Sequence, residues 1–225
     1  MRSRRLKLRY AALAATDTFL ASQNTTTARR LRYVTKPLLM PVLASSLVES
    51  TPGRHDVLRQ GTLAAQAFSW GGDLALMRPG TRGFLTGVGS FFAAHACYVA
   101  AFASARQRDE VRTTGLKAAG TAWAAAAPIM AIAAGRKDPG LRAPIAAYAG
   151  ILATMFATST ILDQELPTRS RRGLVAGTSL FMLSDSLLGV REFLTDEHHA
   201  KLDAAVMATY AGAQYLISDA VASAR

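Results

Sequence analysis

The sequence predicts an all-α protein, a polytopic transmembrane helical bundle of about eight spans. Three observations carry that reading. Half of the 225 residues are hydrophobic and 18% are charged. The charges gather in short clusters, and the apolar stretches between them are about twenty residues long, the length that crosses a bilayer. The connections are short and rich in turn-forming residues, so residues 1–225 read as a single integral membrane domain without a linker.

The spans follow in order. The first, 6–22, succeeds the basic segment Met1–Tyr10. A cleaved signal peptide opens similarly, but no small-x-small site followed by a soluble domain appears, so the run is read as a span. The second, 31–48, contains Lys36 between apolar residues and two prolines, Pro37 and Pro41, which free carbonyls and bend the helix. The third, 57–77, begins after the turn Thr51-Pro52-Gly53-Arg54 and contains Asp73. The fourth, 84–105, follows Arg78-Pro79-Gly80-Thr81-Arg82 and holds His95 and the lone cysteine, Cys97. The fifth, 113–134, and sixth, 143–163, flank Arg136-Lys137-Asp138-Pro139-Gly140. The seventh, 172–190, follows Pro167-Thr168-Arg169-Ser170-Arg171-Arg172 and contains Asp185. The eighth, 202–219, carries Tyr210, Gln214 and Tyr215.

The mean hydropathy, +0.16, is low for such a protein. Ala, Gly, Ser and Thr fill positions where Leu and Ile are common, and small residues favour close helix contact in lipid. A soluble, Ala-rich bundle is the competing fold.

Composition excludes several function classes. One cysteine permits neither a disulfide scaffold nor a CxxC motif. Lys and Arg number 26 against 15 acids, a net charge of +11. The basic residues punctuate apolar segments instead of forming a stripe on a polar face, so nucleic acid is not the expected partner. They match interfacial charges flanking spans. With the N-terminus inside, the inner segments hold 15 Lys and Arg and the outer ones 10. The expectation is a multi-pass plasma-membrane protein with both termini cytoplasmic.

Charged or titratable side chains inside spans are costly and usually face the bundle interior or a wet cavity. Five are present: Asp17, Lys36, Asp73, His95 and Asp185. Asp17, between Thr16 and Thr18, reads as structural, satisfied by its neighbours. Asp73 follows Gly71-Gly72, which permit close approach of a backbone or ligand, and Asp185 follows Ser184. Each acid is either a buried structural group or a functional carboxylate. Lys36 is either a snorkelling interfacial lysine or the counter-ion of a carboxylate. His95 is either a core histidine or a substrate contact. Asp73 and Asp185 lie near the C-terminal ends of spans three and seven, and Lys36 near the N-terminal end of span two. At 1.5 Å per residue all three sit about 6–8 Å from the same membrane face. A weak parallel repeat, a small residue then Asp-x-x-Leu or Met, recurs at 72–77 and 184–188.

No cofactor or metal is expected. Of four histidines, His55, His198 and His199 fall in loops and only His95 is embedded, so a three-His zinc site cannot be assembled at membrane depth. There is no Gly-x-Ser-x-Gly elbow and no phosphate-cradling glycine loop with its lysine. Carboxylate acid–base chemistry remains.

Five strings resemble motifs of the YhhN-like lysoplasmalogenase family, in the family's order. They are Thr35-Lys36-Pro37-Leu38-Leu39-Met40-Pro41, Gly72-Asp73-Leu74-Ala75-Leu76-Met77, Phe92-Ala93-Ala94-His95-Ala96-Cys97-Tyr98, Phe181-Met182-Leu183-Ser184-Asp185-Ser186, and Thr209-Tyr210-Ala211-Gly212-Ala213-Gln214-Tyr215-Leu216-Ile217. The resemblance implies a membrane protein of about eight spans that hydrolyses the vinyl-ether bond of lysoplasmalogens to a fatty aldehyde and a glycerophospho-base. It implies a catalytic pair, Asp73 and Asp185. Lys36 would hold one aspartate ionised. His95, Tyr98, Tyr210 or Gln214 would bind glycerol hydroxyls or water. The lipid would enter laterally from the bilayer, with Arg78 and Arg82 near its phosphate. A carboxyl in a low-dielectric site keeps its proton at neutral pH and can serve as general acid, while an ionised partner stabilises the cation and activates water. The alternatives are hydrolysis of another ether or ester lipid, and a proton-coupled carrier or lipid-binding membrane protein. The sequence assigns neither the oligomeric state nor the acid and base roles of the two aspartates.

Overall fold

The structure is a computed structural model that describes residues 2–107, 113–195 and 199–224. Eight α-helices account for almost all of them: α1 (Arg2–Ala21), α2 (Thr26–Ser50), α3 (Val57–Leu76), α4 (Thr81–Ser104), α5 (Thr113–Lys137), α6 (Arg142–Thr160), α7 (Thr168–Phe193) and α8 (Ala200–Ser223). A 3₁₀ turn, Pro139–Leu141, leads into α6. Each predicted span falls on one helix. His55 and His199 lie between helices, and His198 lies outside the described residues.

Eight spans is nevertheless an overstatement. Among the described residues four helices are long and apolar enough to cross a membrane: α4, α5, α6 with its leading turn, and α7. In each, only 28–33% of the apolar stretch is buried inside the protein, so the remainder faces outward. The other four carry more polar side chains. Arg2, Arg4, Arg5, Lys7 and Arg9 crowd the start of α1, and α2 carries Arg29, Arg30, Arg32 and Lys36. In α3 and α8 the polar groups point inward: Gln66, Ser69 and Asp73, and Tyr210, Gln214 and Ser218, are all buried. Asp73 and Ser69 of α3 are met by Tyr210 and Gln214 of α8, so part of the polar content of these two helices is satisfied inside the bundle.

Local signals set the helix ends. Thr25 caps α2 by accepting from the Ala28 N–H, and Asp56 caps α3 by accepting from the Arg59 N–H. Hydrogen bonds from Arg54 hold the Asp56 carboxyl below the usual carboxylate range. Within α2, Pro41 supplies no N–H to the Pro37 carbonyl. The indole of Trp70 takes that carbonyl instead, at 2.9 Å, and so ties α3 to the bend.

Consecutive helices pack as antiparallel pairs: α1 with α2, α3 with α4, α5 with α6, α7 with α8. Glycines permit the closest approaches. A Cβ at Gly61 would lie 2.8 Å from Ala101 Cβ, and one at Gly177 would lie 2.7 Å from Ile217 and 3.1 Å from the Ala213 carbonyl. The main core, with Leu39, Tyr98, Phe181 and Ile217 fully buried, sits among α2, α4, α7 and α8. It supports the carboxylates from below.

Candidate active site

Asp73, near the end of α3, is 1% exposed. Its Oδ2 accepts from the Tyr210 hydroxyl of α8 at 2.7 Å, and its Oδ1 lies 3.3 Å from the Lys36 ammonium of α2. The lysine is therefore a counter-ion rather than a snorkelling interfacial residue. Gly72 lets the Phe91 ring lie against the α3 backbone, since a Cβ there would stand 2.6 Å from it. Phe91 in turn meets the Tyr210 ring edge-on.

Asp185, on α7, has different surroundings. Its Oδ2 accepts from the Tyr148 hydroxyl of α6 at 2.6 Å. The other ionisable neighbour is His95 of α4, whose Nε2 is 3.8 Å from the same oxygen, beyond hydrogen bonding. The His95 ring is fully buried and edge-on to both Tyr148 and Phe181. No Lys or Arg lies within ion-pair distance of Asp185 among the described residues.

The partners cross between the two halves of the weak repeat. Asp73 of the α3–α4 pair is met from α8, and Asp185 of the α7–α8 pair is approached from α4.

Two chambers meet at Asp185. A polar cavity of about 290 Å³ is lined by Lys36, Asp73, Asp185 and Tyr210, with Arg32 and Arg191 among its wall residues. An apolar cavity of about 100 Å³ lies between α4, α5, α6 and α7, lined by residues such as Phe84, Trp123, Met130 and Leu152. Leu76, Phe91, Asp185 and Leu188 belong to both. The described parts of α4 and α5 do not pack on each other, whereas α5 packs on α6. The seam between α4 and α5 leads outward past Trp123, which is 46% exposed.

The structure thus brings Asp73, Asp185, Lys36 and Tyr210 to one cavity. His95 lies behind Asp185. Tyr98 and Gln214 line neither chamber: the Tyr98 hydroxyl donates to Gln214 Oε1 at 2.6 Å, and Gln214 Nε2 donates to Ser69 Oγ at 2.9 Å. This buried chain ties α3, α4 and α8 together. Asp17 is satisfied by α2, through Arg32 and Thr35, and not by its own threonines. Arg78 and Arg82 line neither chamber, and the guanidinium groups there are those of Arg29, Arg32 and Arg191. Tyr148 escaped the sequence reading. Its depth was a usable signal, because six residues from Arg142 place it about 9 Å into α6, near the level of the carboxylates. Among the described residues no group of three or more His, Cys, Asp or Glu is arranged to hold a metal ion.

Fold and site define an all-helical membrane protein with two carboxylates sunk at one end of the bundle. The chain belongs to the YhhN family, whose model matches residues 31–221. That stretch includes all five of the motifs noted above. No curated protein and no solved structure matches the chain.

Proposed function

We propose that this protein is a lysoplasmalogenase-like membrane hydrolase that cleaves the vinyl-ether bond of a single-chain ether lipid to a fatty aldehyde and a glycerophospho-base. The observation that carries the reading is the pair of carboxylates on one polar cavity, unequally partnered, with Asp185 also lining an apolar chamber. The difference in partners supports a division of roles. Asp73 has a cation at 3.3 Å and is the ionised member. Asp185 has a hydroxyl donor and no Lys or Arg partner, and is the member that carries a proton.

The chain occupies the apolar chamber, entering from the bilayer along the α4–α5 seam. The glycerophospho-base occupies the polar chamber. Asp185 delivers its proton to the β-carbon of the vinyl ether, and the π-electron pair forms the new C–H bond. The oxocarbenium ion that results lies beside the Asp73 carboxylate, which stabilises the charge and takes a proton from the attacking water. The hemiacetal then collapses. Its hydroxyl proton returns to Asp185, its C–O bond breaks, and the glycerol oxygen takes the proton held by Asp73. Both aspartates are restored and one water is consumed.

The protein resides in the plasma membrane with both termini cytoplasmic, on the positive-inside argument. The polar cavity lies where α2 begins and α7 ends, so its mouth is on the face opposite the N-terminus. No nucleic acid and no cofactor take part.

The test is aldehyde release from a lysoplasmalogen by the purified protein in detergent. Wild type releases aldehyde, while Asp73→Asn and Asp185→Asn, with unchanged thermal unfolding, do not. A saturated ether analogue, which has no carbon to protonate, is not cleaved. Failure of well-folded wild type to release aldehyde removes this assignment and returns the site to a proton-coupled carrier.

A further inference from the structure

Two arginines that line the polar cavity are each held by a carboxylate from a neighbouring helix. Arg32 of α2 reaches the fully buried Asp17 of α1, with Nε at 3.4 Å from both carboxylate oxygens and an Nη at 3.3 Å from Oδ2. Thr35 donates to the same carboxylate and fixes it further. Arg191 of α7 donates to Asp203 of α8 at 2.7 Å. The arginine side chains are 24% and 32% exposed, and both line the cavity. Each guanidinium has five N–H donors, and its carboxylate takes only some of them. Ion pairs that served packing alone would have no reason to converge on the cavity that holds Asp73 and Asp185. Arg29, one helical turn before Arg32, adds a third guanidinium at the mouth.

Asp185 is met by the Tyr148 hydroxyl, and the other acids at or behind this cavity have cationic partners. Lys36 is matched to Asp73, Arg32 to Asp17 and Arg191 to Asp203. Arg191 also lies 3.8 Å from Glu192, and the guanidinium N–H groups that these carboxylates leave over can meet an anion entering the cavity that both arginines line. A forked, permanently charged donor pair suits a tetrahedral oxyanion such as a phosphate, and fixed guanidinium groups lose little entropy on binding it. The adjoining apolar chamber, which shares Leu76, Phe91 and Leu188 with this cavity, fixes the rest of the ligand as a hydrocarbon chain.

We propose that Arg32 and Arg191 form a phosphate subsite that recognises the phosphodiester of a single-chain lipid, and that Asp17 and Asp203 act as positioning residues that hold the two guanidinium groups toward it. The subsite deepens the hydrolase reading, on which its placement beside the reacting bond rests, but binding can be measured without hydrolysis.

The experiment uses two ligands that the protein cannot cleave: a saturated 1-O-alkyl lysophosphatidylcholine and the matching 1-O-alkylglycerol without phosphate. Binding of each to the full chain is measured by calorimetry in a neutral detergent. Wild type binds the phosphate-bearing lipid at least about tenfold more tightly, as expected for charge-assisted hydrogen bonds. In Arg32→Gln and in Arg191→Gln that ratio collapses toward one while alkylglycerol binding holds. Because Arg32→Gln strands a buried carboxylate, the paired variant Arg32→Gln/Asp17→Asn removes both charges, and the ratio must collapse there too. Glycerophosphocholine and inorganic phosphate, added as competitors, leave lipid binding intact. Their effective competition would place a soluble phosphate in the site and overturn the lipid assignment. Equal wild-type affinity for the two lipids, or an unchanged ratio in the folded variants, overturns the subsite. Tight, arginine-dependent binding by a protein that releases no aldehyde would sink the hydrolase reading and leave the subsite standing.

Discussion

The ammonium of Lys36 lies 3.3 Å from Asp73, although the two residues belong to different helices and the lysine sits just before a proline. Both side chains are largely buried, at 15% and 2% exposure. Removing one partner of such a pair strands the other charge and typically costs about 3–5 kcal/mol, whereas removing both costs less. Lys36→Met should therefore unfold at a clearly lower temperature than wild type in detergent. Lys36→Met/Asp73→Asn should recover most of the loss. A double variant no more stable than the single would show that Asp73 does not depend on this cation. Under the proposed mechanism neither variant should release aldehyde: Lys36→Met removes the cation that keeps Asp73 ionised, and the double variant removes the carboxylate itself.

Tyr148 donates to Asp185 Oδ2, which in the proposed mechanism leaves Oδ1 to carry the transferable proton. Tyr148→Phe keeps the ring and its edge-on contact with His95 but frees the carboxyl to rotate. The expected outcome is a fall in kcat of roughly tenfold, the worth of one hydrogen bond to an acidic group, with KM nearly unchanged. A rise in KM at constant kcat would instead make Tyr148 a substrate-binding group.

Some of this site is legible in the sequence and some is not, for physical reasons. Asp73, Asp185 and Lys36 stand out because a charge within an apolar stretch needs a partner, and helix rise alone put all three at one depth. Tyr148 does not stand out, because a tyrosine in an Ala-rich helix looks like any amphipathic aromatic until its hydroxyl is seen to meet a carboxylate. Arg32 and Arg191 read as interfacial charges near helix ends, since nothing in a linear pattern says that both line one cavity. Tyr98 and Gln214, which stand with His95 and Tyr210 as candidates to bind glycerol hydroxyls or water, are hydrogen-bonded to each other, and a linear pattern does not show that pairing. The excess of predicted spans has the same origin. Sequence shows that α3 and α8 are mostly apolar, but only packing shows that Asp73 and Ser69 of one meet Tyr210 and Gln214 of the other.

Glycines separate contact-determined from propensity-determined positions. A Cβ at Gly177 meets Ile217 and the Ala213 carbonyl of α8, so α7 and α8 must move apart to accept it. Gly89 of α4 has nothing within 4 Å of its would-be Cβ. Gly177→Ala should lower the unfolding temperature, by an overpacking cost of about 1–3 kcal/mol. Gly89→Ala should leave it unchanged or raise it, since alanine is favoured over glycine in a helix by roughly 0.5–1 kcal/mol. The opposite order in thermal unfolding would contradict the α7–α8 packing.

Gly189 stands on the wall of the apolar chamber, where an added Cβ would come within 3.0 Å of Met130 Sδ. A thioether is flexible and can yield, so a larger side chain at 189 should be tolerated by the fold and should take its room from the chamber. If that chamber holds the hydrocarbon chain, Gly189→Leu shortens the space available to it. Each methylene denied burial costs about 0.8 kcal/mol, which is about fourfold in kcat/KM. The variant should therefore lose activity progressively on longer alkenyl chains while keeping its activity on short ones, and its optimum should move to shorter substrates. Headgroup preference should not change, because Arg32 and Arg191 are on the far side of the Leu76–Phe91 wall from Met130. The measurement is kcat/KM across a series of chain lengths for wild type and Gly189→Leu. A uniform loss at every length would mean that the substitution disturbs Asp185, four residues away on the same helix, and that the chain lies elsewhere.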